Sequence, residues 1–297
     1  MMADSPESVL AIAREVVGAM SPSWLQRLQG RIDERVARVP TRLNEYGFDD
    51  QGLAPDFVRQ NMLPIALLYE YYFRVRTVNI ERVPRGRVLL VANHAGQLPF
   101  DAMMLSSAML LEGEPPRIAR GMAEYWVSEL PFVSVAAGRG GTLVGTPLNC
   151  ASMLEAGECV MVFPEGVRGM NKLYEDRYKL MRFGSGFMRL ALETNTPIVP
   201  VSIIGSEEQQ PGLANLSGLA RLFGMPALPL TPTFPLLGPL GLLPLPVKYH
   251  LYFGEPLSFE GDASEDDADI EERVDRVRAA IEEGFERGLA ERSGIFS

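Results

Sequence analysis

The run Val88-Leu89-Leu90-Val91-Ala92 is apolar at every position. It gives way at once to the polar, turn-rich segment Asn93-His94-Ala95-Gly96-Gln97-Leu98-Pro99-Phe100-Asp101, after which Ala102-Met103-Met104-Leu105 resumes the apolar pattern. Unbroken apolarity over a short stretch predicts a strand buried on both faces, the kind found in parallel sheets covered by helices on either side. The order strand, loop, helix then puts the loop at the carboxyl edge of an open α/β sheet, in the crevice where such folds hold their ligands. His94 falls in that loop. The chain has one other histidine, His250, and an imidazole exchanges protons near neutral pH without prior tuning. The same residues admit a plain structural account, a hydrogen-bonded loop histidine with Asp101 capping the helix that follows.

The rest of the chain repeats the pattern. Apolar runs at residues 88–92, 117–122, 133–137, 160–163, 198–204 and 249–253 are separated by segments of helical periodicity, which predicts an α/β fold whose mixed, largely parallel sheet is flanked by helices. Residues 1–84 read as an N-terminal helical appendage, patterned at 9–17 and again at 25–39, with turn signals at Pro40, Gly47, Gly52 and Pro55. The apolar stretch 62–69 is too short to span a bilayer and is expected to pack on the main domain or lie on a membrane surface. Residues 85–256 form the expected core, and 257–297 an acidic region whose charged amphipathic helix covers it.

Charge narrows the function. The net charge of −10 is concentrated in residues 255–297, which hold 14 of the 38 acidic and 5 of the 28 basic side chains. The remainder is almost neutral and lacks the basic excess that neutralises phosphates, so no nucleic-acid partner is expected. Cys150 and Cys159 have no histidine or second cysteine pair nearby to complete a zinc site, and read as reduced, buried and inert. Residues 1–30 contain no uninterrupted apolar core, so neither a signal peptide nor an anchor is expected and a cytoplasmic location follows.

A second strand breaks at Phe163-Pro164-Glu165-Gly166-Val167-Arg168. Glu165 and Arg168 emerge together, either to pair with each other or to leave the planar donor fork of Arg168 for a phosphate. Residues 163–189 carry six basic and three acidic side chains, which favours an anionic ligand there. Ala137-Gly138-Arg139-Gly140-Gly141 puts a further arginine in a loop expected after a strand. It lacks the lysine and hydroxyl ending of a phosphate loop and the spacing of a dinucleotide fingerprint. Phe183-Gly184-Ser185-Gly186 lacks the first glycine of a nucleophile elbow, which argues against a serine hydrolase.

These blocks resemble those of the glycerolipid acyltransferases of lysophosphatidic-acid acyltransferase type. Asn93-His94 with Asp101 resembles the Asn-His-x4-Asp motif, here in an extended form with six intervening residues; Gly138-Arg139 is similar to the arginine-bearing second block. Phe163-Pro164-Glu165-Gly166 with Arg168 is similar to the third block, and Pro197-Ile198-Val199-Pro200-Val201 to the strand carrying the fourth. The resemblance implies catalysis by His94 and Asp101, and substrate binding by Asn93, Arg139, Glu165, Gly166 and Arg168. It implies an acyl thioester donor, either acyl-CoA or an acyl carrier protein, and a lipid acceptor, with 1-acylglycerol-3-phosphate first and diacylglycerol or another alcohol next. No cofactor or metal is implied. A non-catalytic lipid-binding or scaffold protein of the same fold is the rival, separable by whether His94 and Asp101 touch. Residues 222–247 carry no charge but seven prolines, so they read as an apolar loop dipping into a membrane surface rather than a spanning helix.

Overall fold

The computed structural model describes residues 22–96, 98–215 and 229–297. The patterned stretch 9–17 and residues 222–228 of the charge-free run lie outside them. In chain order the strands are β1 (Arg76–Val78), β2 (Val88–Ala92), β3 (Arg120–Ala123), β4 (Leu143–Val144), β5 (Cys159–Val162), β6 (Ile198–Ile204), β7 (Ala214–Asn215), β8 (Pro229–Leu230) and β9 (His250–Phe253). The helices are α1 (Pro22–Ala37), α2 (Pro55–Leu67), α3 (Phe100–Leu111), α4 (Val133–Arg139), α5 (Pro147–Glu155), α6 (Val167–Met170), α7 (Gly186–Glu193), α8 (Ser206–Gln209) and α9 (Asp267–Glu291).

Seven strands form one sheet in the order β1-β9-β6-β2-β5-β3-β4. Every pairing in it is parallel except β6 with β9. The strand predicted from residues 88–92 is the central one, and all five of its side chains are buried. Alternation sends Val88, Leu90 and Ala92 to the face packed by Ile32 of α1, Ala66 of α2 and Leu105 of α3. Leu89 and Val91 go to the opposite face, against Met153 of α5, Met188 of α7 and Ile281 of α9. The result is a mixed, mostly parallel sheet between two helical layers, as the sequence pattern predicts.

α9 is more than a solvated cover. Ile270, Val274, Val277, Ile281 and Phe285 recur at helical spacing and are buried, each contributing roughly 1.5–3 kcal/mol relative to exposure. Its approach to β6 is close enough that a Cβ on Gly284 would lie 2.1 Å from Ser202 Oγ, and one on Gly288 2.2 Å from Ile204 Cδ1. A larger residue at either position would have to displace the Ser202, Ile204 or Tyr252 side chain. Asp266 caps the helix by accepting from the backbone N–H groups of Ala268 and Asp269.

The sheet differs from expectation at three places. Residues 133–137 form α4 rather than a strand. Val133 and Val135 are exposed, and a β-branched run with no neighbouring strand to take its backbone groups satisfies them within a helical turn instead. The strand expected at 117–122 begins at Arg120, after Arg117 has spent its guanidinium on the carbonyls of Pro84, Gly86 and Gly157. β1 and β4, too short to signal themselves, extend the sheet at both edges. Residues 62–69 pack inward, with Met62, Ala66 and Tyr69 buried. Both cysteines are free and buried, and burial pushes each thiol up to about 11.

Candidate active site

β2, β5 and β6 are adjacent and parallel, so their carboxyl ends open at the same edge. β2 delivers Asn93 and His94, β5 delivers Glu165, and β6 delivers Glu207 on α8. Gly96 turns the loop after β2 at φ +90°, in the left-handed region, and Pro99 leads into α3. The two additional residues between His94 and Asp101 are taken up by this loop. Asp101 arrives in the first turn of α3, wholly buried, with Oδ2 2.6 Å from His94 Nδ1.

The hydrogen-bond inventory sets the tautomer. Oδ2 also accepts from Ala95 N–H at 2.9 Å, and Oδ1 accepts from Ala102 N–H at 2.8 Å. Both carboxylate oxygens already accept backbone N–H groups, so Oδ2 meets Nδ1 as an acceptor: Nδ1 carries a proton and donates it, leaving the Nε2 lone pair for an incoming group. Burial opposes the charged imidazole, but the charge and hydrogen bond of Asp101, helped by the Glu165 charge, outweigh it and raise the His94 pKa above the usual 6.5. His250 is the converse. It lies buried on β9, where burial and the cations Lys248, Arg292 and Arg76 lower its pKa to about 4 and keep it neutral.

The remaining predicted site residues divide into those turned inward and those turned out. The Asn93 side chain extends the β2–β6 ladder, donating through Nδ2 to Ile203 O at 3.0 Å and accepting from Ile203 N–H at 2.7 Å. Glu165 does not pair with Arg168. Its Oε1 accepts from His94 N–H at 2.9 Å, and its Oε2 from Met181 N–H at 2.7 Å and from Lys172 Nζ at 3.1 Å. Gly166, between β5 and α6, adopts φ +55°. Arg168 is exposed on α6 and makes no hydrogen bond or ion pair among the described residues. Arg139 ends α4 rather than occupying a loop after a strand. Its carbonyl accepts from Ala54 N–H, and its guanidinium lies 5.9 Å over the Phe57 ring, on the α2 side of the fold.

Part of the basic character of residues 163–189 is neutralised within the fold. Lys172 is buried between Glu165 and Glu207; Arg189 is tied to Asp267 and to the carbonyls of Ala263 and Glu265; Lys179 pairs with Asp176. Arg177 stacks at 4.4 Å on Tyr174, and neither it nor Arg168 has a carboxylate partner among the described residues. Glu207 is a site residue not among those expected from the sequence. Its signal was available, since Gly205-Ser206-Glu207 follows the apolar run of β6 just as Asn93-His94 follows β2 and Pro164-Glu165 follows β5.

A family model described as Acyltransferase matches residues 74–204, a span containing the whole of this dyad and the Glu165 block. The family match, with the relatives below, makes the chain an O-acyltransferase of the glycerolipid type. An uncharacterized protein of Mycobacterium tuberculosis is 41% identical over 98% of this chain and 86% of its own length. A DGAT1/2-independent enzyme synthesizing storage lipids from Gallus gallus is 24% identical over 68% of this chain and 56% of its own. The crystal structure of the 1-acyl-sn-glycerophosphate acyltransferase of Thermotoga maritima shares the fold, with a TM-score of 0.51 over 95% of this chain and 89% of that one at 15% identity. The chain belongs to the glycerolipid acyltransferase family.

Proposed function

We propose that the protein transfers a fatty acyl group from an acyl thioester, acyl-CoA or an acyl carrier protein, to the free hydroxyl of a lipid, with 1-acylglycerol-3-phosphate the first acceptor. The observation that carries this is the 2.6 Å contact between His94 Nδ1 and the buried Asp101 carboxylate. An alcohol has a pKa far above 7, so its attack on the thioester carbon needs a base that removes the proton as the C–O bond forms. His94 Nε2 takes that proton. Asp101 holds the tautomer and stabilises the imidazolium. The tetrahedral intermediate then collapses, the C–S bond breaks, and Nε2–H returns the proton to the departing thiolate. Backbone N–H groups of the glycine-bearing loops are the proposed donors to the oxyanion. A thiolate leaves readily, so the scheme invokes no cofactor, metal or covalent intermediate.

Arg168 supports an anionic acceptor, because it is an exposed cation beside the Glu165 loop with no carboxylate partner among the described residues. Arg168→Ala is expected to raise KM for 1-acylglycerol-3-phosphate about tenfold or more, the worth of a hydrogen bond to a charged group, while KM for the acyl donor changes less than about twofold. Steady-state kinetics with each substrate varied in turn checks this. A neutral acceptor such as diacylglycerol is the second reading, favoured by the storage-lipid relative, and on it Arg168→Ala leaves acceptor KM unchanged. Incubation with labelled acyl-CoA and a panel of lysolipids and alcohols, with products resolved by mass, tests the proposal as a whole.

The proposed setting is the cytoplasmic face of a membrane, with the protein peripheral to it. Among the described residues no helix is long and apolar enough to cross a bilayer. Leu236, Leu237, Leu240 and Leu243, in the described part of the charge-free run, are exposed, Leu236 to 85%. Burying such side chains yields roughly 25 cal/mol per Å² of apolar area, several kcal/mol for four leucines. Flotation with liposomes is expected to recover the wild type and lose the variant with these four changed to Ser, with little dependence on salt.

A further inference from the structure

We propose that Lys172 and Glu207 are positioning residues for acyl transfer, acting through Glu165 on the backbone of His94. This rests on His94 being the base. The geometry is a continuous buried chain. Lys172 Nζ lies 3.1 Å from Glu165 Oε2 and 2.9 Å from Glu207 Oε1, with all three side chains no more than 3% exposed. Glu207 accepts in addition from Tyr178 N–H, as Glu165 does from Met181 N–H and His94 N–H. Two carboxylates and one ammonium thus clamp the 178–181 segment and the His94 loop against each other. The grip is tightened from α6, where a Cβ on Gly169 would lie 2.6 Å from His94 O and 2.9 Å from Glu165 Cβ.

Three of the backbone groups that shape the site therefore depend on one lysine. The Asp101 contact fixes the imidazole through Nδ1, but where that ring sits follows from the main chain that carries it. The N–H of His94 itself goes to Glu165, while the next N–H, of Ala95, goes to Asp101. Glu165 in turn bears on Lys172, which Glu207 keeps from swinging away. Burial raises the Glu207 carboxyl to about 7 against the pull of Lys172, as expected where two carboxylates share one cation. A side chain merely filling space needs none of this pairing, and an apolar replacement packs there as well.

The test compares Lys172→Met, Glu207→Gln and the double variant Lys172→Met, Glu207→Leu, with His94→Ala alongside. Glu207→Gln turns one of the two acceptor oxygens into a donor, so either Lys172 or Tyr178 N–H loses its partner. Lys172→Met strands two buried carboxylates and is expected to unfold at lower temperature. The double variant removes one of the two stranded carboxylates and leaves Glu165 with its two backbone donors, so thermal stability recovers in part. Kinetics separates the accounts. Positioning predicts that kcat per folded molecule stays about 10- to 100-fold down in the double variant, as a misplaced catalytic group does, with both KM values within about threefold. Hydrogen exchange of the peptide covering residues 93–101 is expected to speed up. Lys172 faces the imidazole together with Asp101 and Glu165, and its charge lowers the His94 pKa, so its removal moves the acid limb of kcat/KM to higher pH. Wild-type kcat in the folded double variant, with exchange at 93–101 unchanged, overturns the proposal and leaves His94 as the base. If His94→Ala stays active, the functional reading fails instead, and the exchange measurement alone decides whether the clamp exists.

Discussion

His94→Ala is expected to lower kcat by about 10²–10⁴-fold, the usual contribution of a positioned general base, with the protein still folded. The substitution removes the group that takes the hydroxyl proton and touches little else. Asp101 retains its two backbone donors, Ala95 and Ala102, so its buried charge is not abandoned, and Glu165 still receives the N–H of residue 94. The lost packing is mainly against Phe163, whose ring centre lies 4.6 Å from the imidazole. A Tm within about 5 °C of wild type is therefore expected. Activity within tenfold of wild type, measured on protein shown to be folded, removes His94 from the mechanism and with it the reading of the carboxyl edge as the active site.

How much of this was legible in the sequence follows from which residues carry their own signal. β2, β5 and β6 are apolar on both faces because helices cover both, and that burial writes itself into the sequence as unbroken runs. The loops after them were legible because polar residues stand out immediately after such runs. β4, with two residues, and β1, with three, are too short for a period to register. α4 was misread because Val133-Ser134-Val135 has the composition of a strand, and composition does not say whether a neighbouring strand is there to pair with it. The charges were hardest. Lys172 and Arg189 count toward the basic excess of residues 163–189, yet one lies buried between Glu165, after β5, and Glu207 on α8, and the other is pinned to the loop before α9. Which side a long cationic chain faces is decided by partners tens of residues away, and local sequence holds no trace of that. The extended spacing between His94 and Asp101 was ambiguous for the same reason, since a loop turned by Gly96 and entered through Pro99 can close the distance that two additional residues open.

Asp101→Asn is expected to cost on the order of 10²–10⁴ in kcat while lowering stability by about 1–3 kcal/mol, the scale of a buried donor left without its acceptor. Hydrogen-bond polarity gives the reason. Asp101 presents acceptors everywhere: Oδ2 to His94 Nδ1–H and Ala95 N–H, Oδ1 to Ala102 N–H. An asparagine must place its NH₂ at one of these oxygens. Set at the Oδ2 position, it opposes Ala95 N–H and donates to Nδ1, which moves the ring proton to Nε2 and leaves no lone pair for the acceptor hydroxyl. Set at the Oδ1 position, it opposes Ala102 N–H and keeps the tautomer but no longer stabilises the imidazolium with a full charge. Either arrangement is slow. The pH profile adds a signed readout. In the wild type the base must be neutral, and its pKa stands above 6.5 because Asp101 outweighs burial, so kcat/KM falls as pH drops through a value above 6.5. Without the aspartate charge burial dominates, the His94 pKa falls, and the acid limb moves to lower pH even as the plateau drops. A helix cap with no part in the chemistry would shift Tm by a few degrees and leave both the plateau and the limb where they were.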